Sequence, residues 1–128
     1  MHALVVDDSE SVRGLLAEHL IQLGFQVEQA GSGTDALSKL RTLPSLAVVL
    51  LDWSMPGMDG LEVLRRIRTD ARYGEVPVVM VTSEEELAFM DDALAAGASE
   101  YLIKPFDAQG LLEKLLLLGV DPEIRRAA

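Results

Sequence analysis

Short apolar runs separated by segments of helical period dominate this 128-residue chain, and that alternation leaves it few ways to fold. Residues 3–6 form a brief apolar run, residues 25–30 alternate apolar and polar, and residues 46–51 are unbroken aliphatic. Residues 76–81 are aliphatic apart from Pro77 near the start, where a strand tolerates proline; residues 101–103 make the last and shortest run. Each reads as a strand. Between them, Val12, Leu15, Leu16, Leu20 and Leu23 recur at helical spacing and are closed by Gly24. Ala36, Leu37 and Leu40 mark a second helix ended before Pro44. In a third, Leu61, Leu64 and Ile67 face one way, with Arg65, Arg66 and Arg68 opposite. A fourth helix opens at Ser83-Glu84-Glu85-Glu86, a capping box with its acids at the positive end of the helix dipole. The fifth runs from an Asp107 cap to Gly119, with Pro122 just beyond.

Strands that alternate with helices need crossover connections, which give an α/β fold with a doubly wound, five-stranded parallel sheet. The runs at 3–6, 46–51 and 76–81 are apolar throughout, as expected when helices cover both faces. The run at 25–30 alternates, and the fifth is short and flanked by Glu100 and Lys104, so these two read as edges. The strand order 2-1-3-4-5 of flavodoxin-like folds satisfies all of this. Residues 1–119 read as one domain and residues 120–128 as a short tail outside the core.

Composition narrows the functions open to such a fold. Eleven Lys and Arg against twenty-one Asp and Glu give a net charge of −10, which argues against a nucleic-acid surface and suits a chain that holds a cation. With no cysteine, disulfides, thiolate metal sites and a cysteine nucleophile are excluded. No apolar run approaches the roughly 18 residues of a membrane span. The N-terminus lacks a secretion signal, so a cytoplasmic location is expected.

Ligands of open α/β sheets bind at the carboxyl ends of the strands. Asp7 and Asp8 follow the first strand, Asp52 the third, Thr82 and Ser83 the fourth, and Lys104 the fifth. Three carboxylates on one edge repel one another and raise each other's pKa values unless a cation joins them. Oxygen ligands without His or Cys suit a hard ion, Mg²⁺ or Mn²⁺. An ammonium and a hydroxyl opposite such a metal suit a phosphoryl group, and one carboxylate is then free to act as a nucleophile. Asp7 or Asp8 could instead cap the first helix. Trp53 lies beside the site in sequence, whereas His2 and His19 have no ligand partner at useful spacing and read as structural or solvated.

Asp7-Asp8, the stretch from Leu51 to Gly60, Thr82-Ser83 and Lys104-Pro105-Phe106 together resemble the receiver domains of two-component response regulators. The resemblance covers about residues 2–119 and is nearest the stand-alone chemotaxis type. It implies that Asp52 is the phosphoacceptor, taking its phosphoryl group from a histidine kinase or phosphotransfer protein. It implies Mg²⁺ held by Asp8, Asp52 and the Ser54 backbone carbonyl, with Asp7 acting through water. Lys104 and Thr82 would bind phosphoryl oxygens, Thr82 and Tyr101 would switch together, and Ser54 and Glu84 would tune hydrolysis. A cis peptide is expected at Lys104-Pro105.

Leu111, Leu112, Leu115, Leu116 and Leu118 span about 160° of helical arc, wider than a core-facing stripe needs, and Leu117 lies outside it. Two expectations follow. Either these leucines only cover the sheet edge, or some of them, with Phe89 and Tyr101, bind a downstream protein or a second copy of the chain. Two other functions fit parts of the pattern. One is an adaptor of the same fold that works without phosphorylation. The other is an aspartate-nucleophile phosphatase resembling haloacid dehalogenase-like hydrolases, which carry a second Asp where this chain has Ser54.

Overall fold

A computed structural model describes residues 1–43 and 45–121. Five strands, β1 (His2–Val6), β2 (Gln26–Ala30), β3 (Val48–Asp52), β4 (Val78–Thr82) and β5 (Glu100–Ile103), form one sheet in the order β2-β1-β3-β4-β5. All neighbours pair in parallel. The alternating strand and the short strand are the two edges, as their sequences require. Helices α1 (Glu10–Gln22), α2 (Gly33–Leu40), α3 (Gly60–Thr69), α4 (Met90–Ala95) and α5 (Ala108–Leu117) cover the two faces, and a 3₁₀ turn at Glu86–Phe89 precedes α4.

The period of two along the inner strands divides the core. Leu4, Val6, Val49, Leu51, Val78 and Met80 pack on one face with Ala36, Leu40, Val63, Leu64, Ile67 and Ala93. Ala3, Val5, Val48, Leu50, Val79 and Val81 pack on the other with Leu16, Leu20, Leu111 and Leu115. Each fully buried leucine contributes about 2 kcal/mol of transfer free energy. The sheet is thereby fixed so that its carboxyl edge presents a rigid row of side chains.

Helix ends follow the sequence closely. Ser9, not Asp7 or Asp8, caps α1 through a bond from the Val12 N–H, which leaves the acidic pair free of that duty. Asp107 caps α5 with a 2.7 Å bond from the Gly110 N–H. At the other ends, Gly24 (φ 102°) and Gly119 (φ 74°) adopt the left-handed conformation. There the Phe25 and Val120 N–H groups reach back to the carbonyls of Leu20 and Leu115.

Three expectations are corrected. Val120 belongs to the core, because the turn at Gly119 folds it back onto α5 at 7% exposure. The rest of the expected tail, 122–128, lies outside the described residues, as does Pro44. The capping box at Ser83 does close, but its first turn continues as 3₁₀ helix and regular α-helix begins only at Met90. No residue of the 3₁₀ turn is buried, so core packing does not favour α geometry there. Arg68 does not face solvent with Arg65 and Arg66. It is half-buried and donates to the carbonyls of Gly74, Val76 and Gly97, tying α3 to the loops around β4 and β5.

Candidate functional site

The carboxyl ends of β1, β3, β4 and β5 bring Asp7, Asp8, Asp52, Thr82 and Lys104 to one edge of the sheet. Asp52 is the last residue of β3 and Thr82 the last of β4, while Asp7 and Lys104 directly follow β1 and β5. Backbone bonds set this frame: the Asp7 N–H donates to Ala30 O, Trp53 N–H to Val81 O, and Lys104 N–H to Thr82 O.

Asp7 (1% exposed) and Asp52 (2%) are buried, whereas Asp8 is exposed at the mouth. One carboxylate oxygen from each of the three lies within 4.8 Å of the others. Asp7 Oδ1 accepts from the Ser9 N–H at 2.8 Å, but its buried Oδ2 has no hydrogen-bond partner among the described residues. A buried carboxylate oxygen without a donor is costly, and a cation among the three acids removes that cost. The residues therefore fit a hard divalent ion.

Lys104 is the countercharge already present. Its Nζ donates to Asp52 Oδ1 at 2.9 Å and lies 3.8 Å from Asp7 Oδ2. The Asp52 carboxyl is raised to about 6, mainly by burial; the bond from Lys104 lowers it, and the charges of Asp7 and Asp8 add to the rise. Burial rather than mutual repulsion is thus the larger cause, which corrects the emphasis of the sequence argument. Burial also lowers Lys104, but its bond to Asp52 and the charges of Asp52, Asp7 and Glu86 outweigh it and raise the ammonium above its ordinary value.

The remaining expected residues surround this cluster. Trp53 is half-buried beside Asp52, and Ser54 and Glu84 are exposed. The Thr82 hydroxyl is buried, but its hydrogen-bond partners are Ser83 O and Glu86 Oε1 rather than Asp52. Tyr101 is half-buried, with the Lys114 ammonium 4.2 Å from its ring centroid. The Lys104-Pro105 peptide is cis. His2 begins β1, and His19 lies edge-on to Phe106 with centroids 6.3 Å apart. Leu111 and Leu115 are buried, whereas Leu116, Leu117 (71%) and Phe89 (58%) are exposed, so part of the α5 leucine set does face outward.

Two contributors escaped sequence reasoning. Gly60, at the start of α3, sits where an added Cβ would lie 2.2 Å from the Asp52 carbonyl oxygen, and its N–H donates to Trp53 O. Only glycine lets the loop after β3 return this closely to the strand end. The other is Glu86, whose spacing from Ser83 announced a capping box but not the bond from Thr82.

Comparison with known proteins agrees with this geometry. The family model for the response regulator receiver domain matches residues 3–116. Chemotaxis protein CheY1 of Helicobacter pylori is 40% identical over 123 residues, covering 94% of this chain and 99% of the relative. A CheY homologue of Campylobacter jejuni is 40% identical over 116 residues, covering 90% of this chain and 89% of its own. Among solved structures, chemotaxis protein CheY4 of Vibrio cholerae superposes with a TM-score of 0.85 at 34% identity, covering 91% of this chain and 96% of that one. Receiver domains generally bind Mg²⁺ at an acidic cluster, and Asp7, Asp8 and Asp52 form such a cluster here. By sequence, fold and the arrangement of its strand-end acids, the chain belongs to the response regulator receiver domain family and is of the chemotaxis type.

Proposed function

We propose that this receiver is a phosphorylation-dependent signalling switch with Asp52 as its phosphoacceptor. The observation that carries the reading is Asp52 itself, a buried carboxylate at a strand end with an ammonium 2.9 Å away and two further acids beside it. The donor is the phosphohistidine of a sensor histidine kinase or phosphotransfer protein, or a small acyl phosphate. An Asp52 oxygen attacks phosphorus in line, the P–N bond breaks, and the imidazole leaves with the electron pair. Lys104 moves its bond from Asp52 Oδ1 to a phosphoryl oxygen, and Thr82 binds another. Asp8, Asp52 and the Ser54 backbone carbonyl would hold Mg²⁺ or Mn²⁺ directly, and Asp7 would act on it mainly through water. The bound ion supplies neutralisation of the carboxylate and phosphoryl charges.

An open apolar groove of about 390 Å³ lined by Val12, Leu15, Lys104, Pro105 and Phe106 lies beside the site and suits a docking donor. The chain catalyses only its own phosphotransfer and dephosphorylation. Ser54 and Glu84, both exposed two residues beyond Asp52 and Thr82, tune the attack of water on the acyl phosphate. Phosphorylation adds about −1.5 to −2 charges. Thr82 and Tyr101 respond, and the face made by α4, β5 and α5, with Phe89, Leu116 and Leu117 exposed, changes its affinity for a downstream protein or a second copy of the chain. The receiver domain runs from residue 1 through Val120, whose side chain packs into its core, in a cytoplasmic location. No helix among the described residues is long and apolar enough to cross a membrane.

Intact mass after incubation with acetyl phosphate tests the reading. Addition of one phosphoryl group that requires Mg²⁺ supports it. Absence of addition under conditions that label a control receiver sinks it in favour of the phosphorylation-independent adaptor. Turnover of a phosphomonoester would instead support the phosphatase.

A further inference from the structure

Thr82 ends β4 fully buried, and its hydroxyl has a single proton to give. That proton is shared between Ser83 O at 3.2 Å and Glu86 Oε1 at 3.4 Å. The Glu86 carboxylate is held in place by backbone bonds. The Ser83 N–H donates to Oε1 at 3.0 Å, the Glu86 N–H donates to Ser83 Oγ at 3.2 Å, and the Leu87 N–H closes the turn onto Ser83 O. The same carboxylate contributes to the raised Lys104 ammonium, so its charge reaches the acidic pocket.

From this arrangement we propose that Glu86 is a positioning residue that holds the Thr82 hydroxyl away from the phosphoryl site and so sets the threshold of the switch. The inference rests on the proposed roles of Asp52 and Thr82. To bind a phosphoryl oxygen, Thr82 must release both the Ser83 carbonyl at 3.2 Å and the Glu86 carboxylate, whose full charge attracts the hydroxyl proton even at 3.4 Å, a longer separation than an ordinary hydroxyl bond. The competent arrangement is populated less in consequence, and the apparent affinity for a phosphoryl group falls by that fraction.

Beryllofluoride, a phosphoryl mimic, provides the test when titrated calorimetrically at saturating Mg²⁺. Glu86→Gln retains an oxygen for the Ser83 N–H but removes the charge. Its affinity for beryllofluoride is expected to rise about fivefold, a change of about 1 kcal/mol. The gain should disappear in a Thr82→Ala background, and Mg²⁺ affinity should stay within about twofold of the wild type. Glu86→Ala, which removes the acceptor altogether, should show at least the same gain despite a lower melting temperature. A residue that only caps the turn would lower the melting temperature without any gain. Unchanged or weaker binding by both variants overturns the proposal, and so does an equal gain in the Thr82→Ala background. If the wild type takes up no beryllofluoride, the phosphoacceptor reading itself fails, a result separate from failure of the Glu86 effect.

Discussion

The ammonium of Lys104 donates to Asp52 Oδ1 at 2.9 Å although the two residues are 52 positions apart in sequence. The bond spans β4, which lies between the strands that carry them, and is fixed by the Lys104 N–H bonding to Thr82 O at 2.7 Å. One cation thus partly offsets a pocket that holds three carboxylates, and a divalent ion bound there would compete with it for carboxylate oxygens.

Lys104→Met should therefore strengthen Mg²⁺ binding while abolishing stable phosphorylation. Removing a positive charge a few ångströms from a divalent ion changes affinity by on the order of tenfold even where screening is close to that of bulk water. Mg²⁺ titration of the variant monitored by Trp53 fluorescence checks this. Weaker binding would mean that the lysine organises the carboxylates instead of competing with the ion.

The raised Asp52 carboxyl has a defined stability signature. Its folded pKa, about 6, exceeds the ordinary 3.8, so between these values the folded state binds more protons than the unfolded chain. Stability is then lost as pH rises from about 4 to about 6, and the loss is complete at neutral pH. Asp52→Asn should melt several degrees higher than the wild type at pH 7.5 in metal-free buffer. The difference should shrink as pH falls through 6 towards 4.5, and Mg²⁺ should narrow it at pH 7.5 by stabilising the wild type alone. Melting curves of both proteins across this range supply the measurement.

Gly60→Ala places a methyl group 2.2 Å from the Asp52 carbonyl oxygen, a backbone atom that cannot swing aside. The substitution should cost about 3 kcal/mol of stability and weaken Mg²⁺ binding, because relief of the clash moves the end of β3. Urea denaturation and Mg²⁺ titration of the same sample would detect both effects. Gly14, whose Cβ position is open, serves as the control: Gly14→Ala should leave both quantities within error or raise stability slightly.

Along α5 the leucines divide into two groups. Leu115→Ala, at a buried position, should cost about 2–5 kcal/mol. Leu117→Gln, at an exposed one, should change stability by less than about 0.5 kcal/mol. If the outward leucines bind a partner, Leu117→Gln should also reduce beryllofluoride-dependent capture of that partner without altering phosphorylation. Capture equal to that of the wild type would assign Leu117 no part in binding.

What the sequence disclosed follows from the physics that each residue obeys. Strand order was legible because burial on one or two faces leaves different periodicities, as the contrast between residues 25–30 and 46–51 illustrates. The strand-end acids were legible because an ionised group directly after buried aliphatics demands a reason. The Gly60 contact was hidden because the distance between a loop and a strand end leaves no local pattern. The Thr82 bond to Glu86 was hidden for a related reason, since a capping box predicts backbone partners but not a second donor, from a side chain, on the same oxygen. The outward position of Leu116 and Leu117 was undecided because a wide leucine arc fits both a covered edge and an open surface.

The central claim is that phosphoryl transfer ends on Asp52. Treatment with acetyl phosphate and Mg²⁺ followed by borohydride reduction converts an aspartyl phosphate to homoserine, which peptide mass mapping locates. The account predicts homoserine at position 52, absent when the metal is chelated and absent in Asp52→Asn. Conversion at Asp7, Asp8 or elsewhere, or undiminished phosphorylation of Asp52→Asn, would contradict it.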